Sequence, residues 1–147
     1  VPSWLVGGRD AGWATAFIQD LADRLRHRVQ LTSDGHRAYL NAVEDAFGCD
    51  IDYATLVKLY GAHRNEVEHI YSPPKVIGCH CAVITGRPDP RYISTSFAER
   101  QNLTMRMQMR RFTRLTNGFS KKLDNLRHAV ALHFMTTTSV GFIQRYA

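Results

Sequence analysis

Arg28-Val29-Gln30-Leu31-Thr32-Ser33-Asp34-Gly35-His36-Arg37-Ala38-Tyr39-Leu40-Asn41-Ala42-Val43-Glu44-Asp45-Ala46-Phe47-Gly48 is the run on which the fold turns. Arg28 to Thr32 reads as a strand and Ser33-Asp34-Gly35-His36 as a polar turn. From Arg37 onward, Tyr39, Leu40, Val43 and Phe47 recur at helical spacing until Gly48 stops them. Upstream, Ser3 to Val6 reads as a short buried strand entering Gly7-Gly8. Asp10 then has the chemistry of an N-cap for a helix carrying Trp13, Phe17, Leu21 and Leu25. Strand, helix, strand, helix predicts an α/β sheet with a right-handed crossover. Gly7-Gly8 has neither the Lys-Ser/Thr nor the third glycine of a phosphate cradle and reads as a tight turn. Asp34 falls just past a strand's carboxyl end, where open α/β sheets place their ligands.

Farther along, Ile51 to Tyr60 suits either a strand or a short helix. His63 to Ile70 is polar and reads as a surface connection closed by Pro73-Pro74. Lys75 to Thr85 follows as a strand, bounded by Gly86 and Pro88, and Arg87-Pro88-Asp89-Pro90 reads as a loop. Ser96 to Glu99 matches a capping box opening a helix with Met105, Met109 and Phe112 on one side, a stripe that reads as core packing. Leu103, Met105, Met107 and Met109 also alternate, so a strand stays open there. After a break at Thr116-Asn117-Gly118 comes a last helix with the face Phe119, Leu123, Leu126, Val130 and Phe134.

The 147 residues make one domain with an ordinary composition, 44% hydrophobic and 22% charged, which excludes wholesale disorder. No apolar run reaches the ~18 residues of a membrane helix, and no signal peptide is visible. Cys49, Cys79 and Cys81 are an odd set, best read as reduced thiols of a cytoplasmic protein. The net charge is +6, and Glu99 to His128 accounts for all of it, with eight basic residues against two acidic ones. A cationic stripe beside a neutral body suggests a polyanion partner, nucleic acid first; a solvated helix face is the bland alternative.

Asp34 and Glu99 are the carboxylates of interest. Turn chemistry explains Asp34 alone and helix capping explains Glu99 alone; brought together by the sheet, they have the chemistry to hold divalent metal. Cys79-His80-Cys81 invites a zinc reading, but residues alternating along a strand face opposite sides, and small buried side chains explain them better. His36 lies two residues from Asp34, with no nucleophile marked beside it.

Three stretches resemble bacterial insertion-sequence transposases of the DDE type, in the insertion-sequence-one-like group. They are Ser33-Asp34-Gly35-His36-Arg37-Ala38-Tyr39, the block from Ile93 through Glu99-Arg100-Gln101-Asn102-Leu103-Thr104 to Arg106, and Arg111 to Lys122. The likeness covers about residues 1–135. It implies an RNase H-like catalytic core, incomplete at the N-terminus, in which two Asp and one Glu bind two Mg²⁺ (or Mn²⁺) ions for DNA strand cleavage and strand transfer. Asp34 matches the second carboxylate and Glu99 the third, as catalytic and metal-binding residues. Arg100, Arg106, Arg110, Arg111, Arg114, Lys121 and Lys122 would neutralise phosphates of the insertion-sequence ends and target.

Two departures shape that expectation. The family's first Asp belongs on an opening strand that this chain lacks, and Asp10, at a helix start, is a poor substitute. Residues 136–147 depart as well: relatives continue with something like Tyr-Tyr-Asn-Phe, whose codons read one base later spell Thr-Thr-Thr-Ser, the text at Thr136 to Ser139. The expected organisation is thus a partial catalytic domain over 1–135 and a frameshifted tail over 136–147. The expected protein is an inactive remnant of a transposase in the bacterial cytoplasm, associated with the nucleoid, a homo-oligomer being possible. The rivals are a non-catalytic basic DNA-binding module of the same fold and a metal-dependent nuclease.

Overall fold

The computed structural model describes residues 3–61, 75–113, 117–118 and 120–146, with 138–146 described as backbone alone. The chain is a mixed α/β structure. Helix α1 (Ala11–Arg24) leads to strand β1 (Gln30–Ser33), helix α2 (Arg37–Phe47) and the long strands β2 (Asp52–Tyr60) and β3 (Val76–Thr85). A 3-10 turn at Pro90–Tyr92, helix α3 (Ser96–Gln108), a second 3-10 turn at Arg110–Phe112 and helix α4 (Leu123–Tyr146) complete it. The sheet runs β1-β2-β3; β1 and β2 are parallel through the α2 crossover, and β3 returns antiparallel on β2.

Local chemistry sets these boundaries. Asp10 caps α1 as expected, its carboxylate accepting the Trp13 amide at 3.0 Å, and Gly48 ends α2. The helix stops one residue short of Leu25, whose amide closes the last turn on the Ala22 carbonyl. Ile51–Tyr60, ambiguous in sequence, supplies the central strand, which starts at Asp52. Its start is fixed by Arg28, which donates two bonds to the Asp52 carboxylate (2.7 and 3.0 Å) and others to the carbonyls of Cys49 and Ile51. Arg28 thus serves as this brace, and β1 begins two residues later, at Gln30.

The core lies where α1 and α2 meet the start of β2. Ala14 and Ile18, one turn apart on α1, face Ala42 and Val43 of α2, with Ile51 and Tyr53 beneath them. The two alanines let the helices approach closely. The Tyr53 hydroxyl is 2.7 Å from the Ser33 hydroxyl, so the one polar atom of that buried ring is satisfied at the end of β1.

Two expectations are corrected. Ser3–Val6 is not a buried strand: it runs irregularly and half-exposed, with Ser3 donating to Asp20 at 2.6 Å and the Trp4 ring stacked on Phe134 at 6.4 Å. Among the described residues no strand pairs with this segment, and Ser3 and Trp4 anchor it through their side chains. At the Gly7-Gly8 step the chain bends, and a Cβ on Gly7 would lie 2.3 Å from the Trp13 ring. The capping box at Ser96 also fails. Thr95 holds the cap position without a side-chain bond to a helix amide, and the Glu99 carboxylate accepts from the Thr95 hydroxyl at 2.7 Å.

The methionine stripe is only half a core. Met105, Met109 and Phe112 are half-buried and no residue of α3 is fully buried, while Met107 is 78% exposed. In α4, Val130 is buried, Leu126 and Phe134 are half-buried and Leu123 is exposed. The helix continues through 136–146 as unbroken backbone. His63–Ile70, Pro73-Pro74, Thr116 and Phe119 lie outside the described residues.

Candidate functional site

The Ser33-Asp34-Gly35-His36 turn carries the first site residue. Gly35 has φ +23°, and a Cβ there would lie 2.5 Å from a Val57 methyl, so the bare backbone lets this turn sit down on β2. Asp34 is thereby held at the carboxyl end of β1, its Oδ1 accepting the His36 amide at a long 3.4 Å. The His36 ring packs edge-on to Tyr39, 5.5 Å between centroids.

Glu99 stands in the first turn of α3. Both carboxylates line one cavity of about 780 Å³ between α1, the ends of β1 and β2, and α3. Asp34 and His36 also line a second cavity of about 850 Å³, as does Asp10. Asp10 is occupied as the cap of α1.

The sequence reading missed Lys58. Its ammonium, on β2, bonds to Glu99 Oε1, the oxygen that also accepts from Thr95. The hydrogen bond from Lys58 is the main cause, and that from Thr95 the second, holding the Glu99 carboxyl below its ordinary range. The same pair raises Lys58. A lone cation between Leu56, Val57, Leu59 and Tyr60 was the available signal, but it points nowhere until Ile51–Tyr60 is known to be a strand.

Asp34 and Glu99 are oxygen donors of the kind a hard divalent cation takes, and Mg²⁺ commonly binds through one or two carboxylates plus substrate phosphate and water. In kind they fit. In the arrangement seen, Lys58 already compensates the charge of Glu99. Among the described residues no group of three His, Cys, Asp or Glu side chains is placed to hold a metal. Cys79 and Cys81 share one face of β3 with His80 on the other, and both thiols are free and exposed.

The basic residues divide by environment. Arg100, Arg106, Arg110, Lys121 and Lys122 are exposed. Arg106 follows Glu99 by seven residues, which returns it to the same helical face roughly 10 Å along the axis. Arg111 is half-buried and acts as a strut, donating to the Ser120 hydroxyl at 2.6 Å and the Asn125 carbonyl at 3.2 Å and tying the second 3-10 turn to α4. Arg114 lies outside the described residues. Farther along α4, Gln101 of α3 bonds to the buried His133 ring at 3.3 Å.

No protein-family model, curated protein or solved structure matches the chain. Among the described residues no helix is long and apolar enough to cross a membrane.

Proposed function

We propose that this chain is part of a DDE-type transposase catalytic core of RNase H-like fold, binding DNA through the arginine-rich α3–α4 segment and presenting Asp34 and Glu99 to a phosphodiester. The observation that carries the reading is that Asp34 and Glu99, remote in sequence, line one cavity. The resemblance of the Glu99-Arg100-Gln101-Asn102-Leu103-Thr104 block and the cations beyond it support it further. A location on bacterial DNA goes with this reading.

Asp34 and Glu99 would hold Mg²⁺ or Mn²⁺. Such ions, when bound, activate the attacking oxygen and stabilise the leaving one. The chain's own contribution is placement. Asp34 stands on a turn seated against β2, Glu99 on the first turn of a helix, and Arg106 follows on the same face to neutralise a neighbouring phosphate. Glu99 must exchange Lys58 for the ion. With two carboxylates and a competing ammonium, cleavage is expected to be weak, since a misplaced reacting centre costs ~10²-fold.

The Lys58–Glu99 pair favours a second reading, a DNA-binding module of the same fold that no longer catalyses. Nicking of supercoiled plasmid with Mg²⁺ or Mn²⁺ separates the two. Slow nicking abolished by Asp34→Asn and Glu99→Gln supports the catalytic reading. DNA binding that both variants leave unchanged, with no nicking by the parent, supports the second. Failure of the parent to bind DNA at low salt refutes both.

A further inference from the structure

Strand β3 pairs with β2 along one side and forms an edge of the sheet among the described residues. Native edges are usually guarded by lysine, proline, shortness, bulges or a covering element. From Val76 to Thr85 this strand has neither a charge nor a proline, and it runs for ten residues. Its register on β2 is regular from Gly78 to Val83, and the irregularities fall at Ile77 and Ile84, so the bulges guard the two ends of the strand and leave the stretch between them flat. Ile77 is 70% exposed and Val83 59%, with Val76, Ile84, Cys79 and Cys81 exposed beside them.

The sequence of that edge is nearly its own mirror image about His80. Folded back there, Cys79 meets Cys81, Gly78 meets Ala82, Ile77 meets Val83 and Val76 meets Ile84. Two identical strands paired antiparallel about a two-fold axis through His80 therefore set thiol against thiol, small against small and branched aliphatic against branched aliphatic. Directly opposed side chains share a face and lie within contact, the arrangement that stabilises antiparallel pairs. A two-fold axis normal to a sheet preserves the face each residue points to, so it passes through a residue position. The neighbouring choices are poor: an axis through Cys79 sets Ile77 against Cys81 and Val76 against Ala82, and one through Cys81 sets Gly78 against Ile84.

We infer that β3 is a homodimer interface, its occupant a second copy of this chain paired antiparallel about His80 to make one six-stranded sheet. Charge opposes association except where the meeting surfaces are neutral. Two copies of a chain with net charge +6 repel one another, and β3 is an uncharged stretch through which they can approach. The inference stands apart from the catalytic reading, since none of these residues belongs to the carboxylate cavity.

Register makes the proposal testable with the full chain carrying Cys49→Ser, so that Cys79 and Cys81 are the remaining thiols. Opposed cross-strand residues lie roughly 4.5–5.5 Å apart at Cα, within disulfide reach, whereas diagonal neighbours exceed about 7 Å. Oxidation with copper phenanthroline should cross-link the parent into a covalent dimer. Cys79→Ser alone and Cys81→Ser alone should each lose it, because each remaining thiol then faces serine. An equimolar mixture of those two variants should recover it, as Cys79 of one chain meets Cys81 of the other. In sedimentation at tens of micromolar, Ile77→Lys should weaken dimerisation at least tenfold with an unchanged circular dichroism spectrum.

A monomer at every concentration overturns the proposal. So does cross-linking of Cys79→Ser alone as efficiently as the mixture, which would mean collision or another register. A dimer indifferent to Ile77→Lys places the contact on some other surface and overturns it too. The thiol experiment needs no core substitution and is read even if the lysine variant misfolds.

Discussion

Replacing Arg100, Arg106 and Arg110 together by alanine tests whether the cationic segment meets DNA. All three are exposed, and no described carboxylate pairs with them, so their removal costs the fold little. If each neutralises one phosphate, each contributes about −0.9 to the slope of log K against log salt. The triple variant then loses roughly 2.7 from that slope. Taking the contacts as neutral at 1 M salt, the same term is about 5-fold in affinity per contact at ~0.15 M, so the variant binds roughly 10²-fold more weakly there. Fluorescence anisotropy of a labelled duplex, titrated from low to moderate salt, measures both quantities. Arg111→Ala is the contrast: its guanidinium is spent on Ser120 and Asn125, so it should lower the unfolding midpoint with a smaller change in salt slope. An unchanged slope in a folded triple variant would show that α3 and the following turn do not touch the phosphates.

Lys58→Met should let the Glu99 carboxyl titrate nearer its ordinary range, because the ammonium is the larger of the two donors that depress it; carbon-detected NMR titration reads the shift, and no upward movement would discredit the ion pair. The Asp52 carboxyl is held at about 2, first by the Arg28 guanidinium and then by the Arg87 amide. Its depressed value means that its stabilisation is complete above the ordinary 3.8 and drains away as pH falls from there through about 2. Asp52→Asn should therefore flatten the acid side of a denaturation profile in that window, and a parallel profile would refute the assignment. Ile51→Ala, at a fully buried position, should cost about 2–5 kcal/mol in urea unfolding, and a loss under 1 kcal/mol would mean the site collapses around the gap.

Elements with a strong local signature were legible from the string. Asp10 capping α1, the span of α2 to Gly48 and the strand ending at Thr85 follow from side chains acting within a few residues of themselves. Ser3–Val6 misled because a buried strand and a segment pinned by Trp4 and Ser3 look alike when the partner, Phe134 or Asp20, is distant in sequence. The capping box misled for a related reason. Glu99 has the right spacing to reach back to a helix terminus, yet a lysine on β2 offers a full charge, which outcompetes a backbone amide.

What the chain determines by itself is periodicity, caps, breakers and the place of its charges: the α/β character, the position of Asp34 after a strand, the cationic run after Glu99 and the palindromic pattern around His80. Only the tertiary structure decided that Ile51–Tyr60 supplies the central strand, that Asp34 and Glu99 share a cavity, that Lys58 stands beside them and that Arg111 braces the fold. Each of those depends on which remote backbone segments come side by side. That pairing is settled by burying Tyr53, Ile51 and Val43 together, a property of the packed whole that no local window of sequence contains.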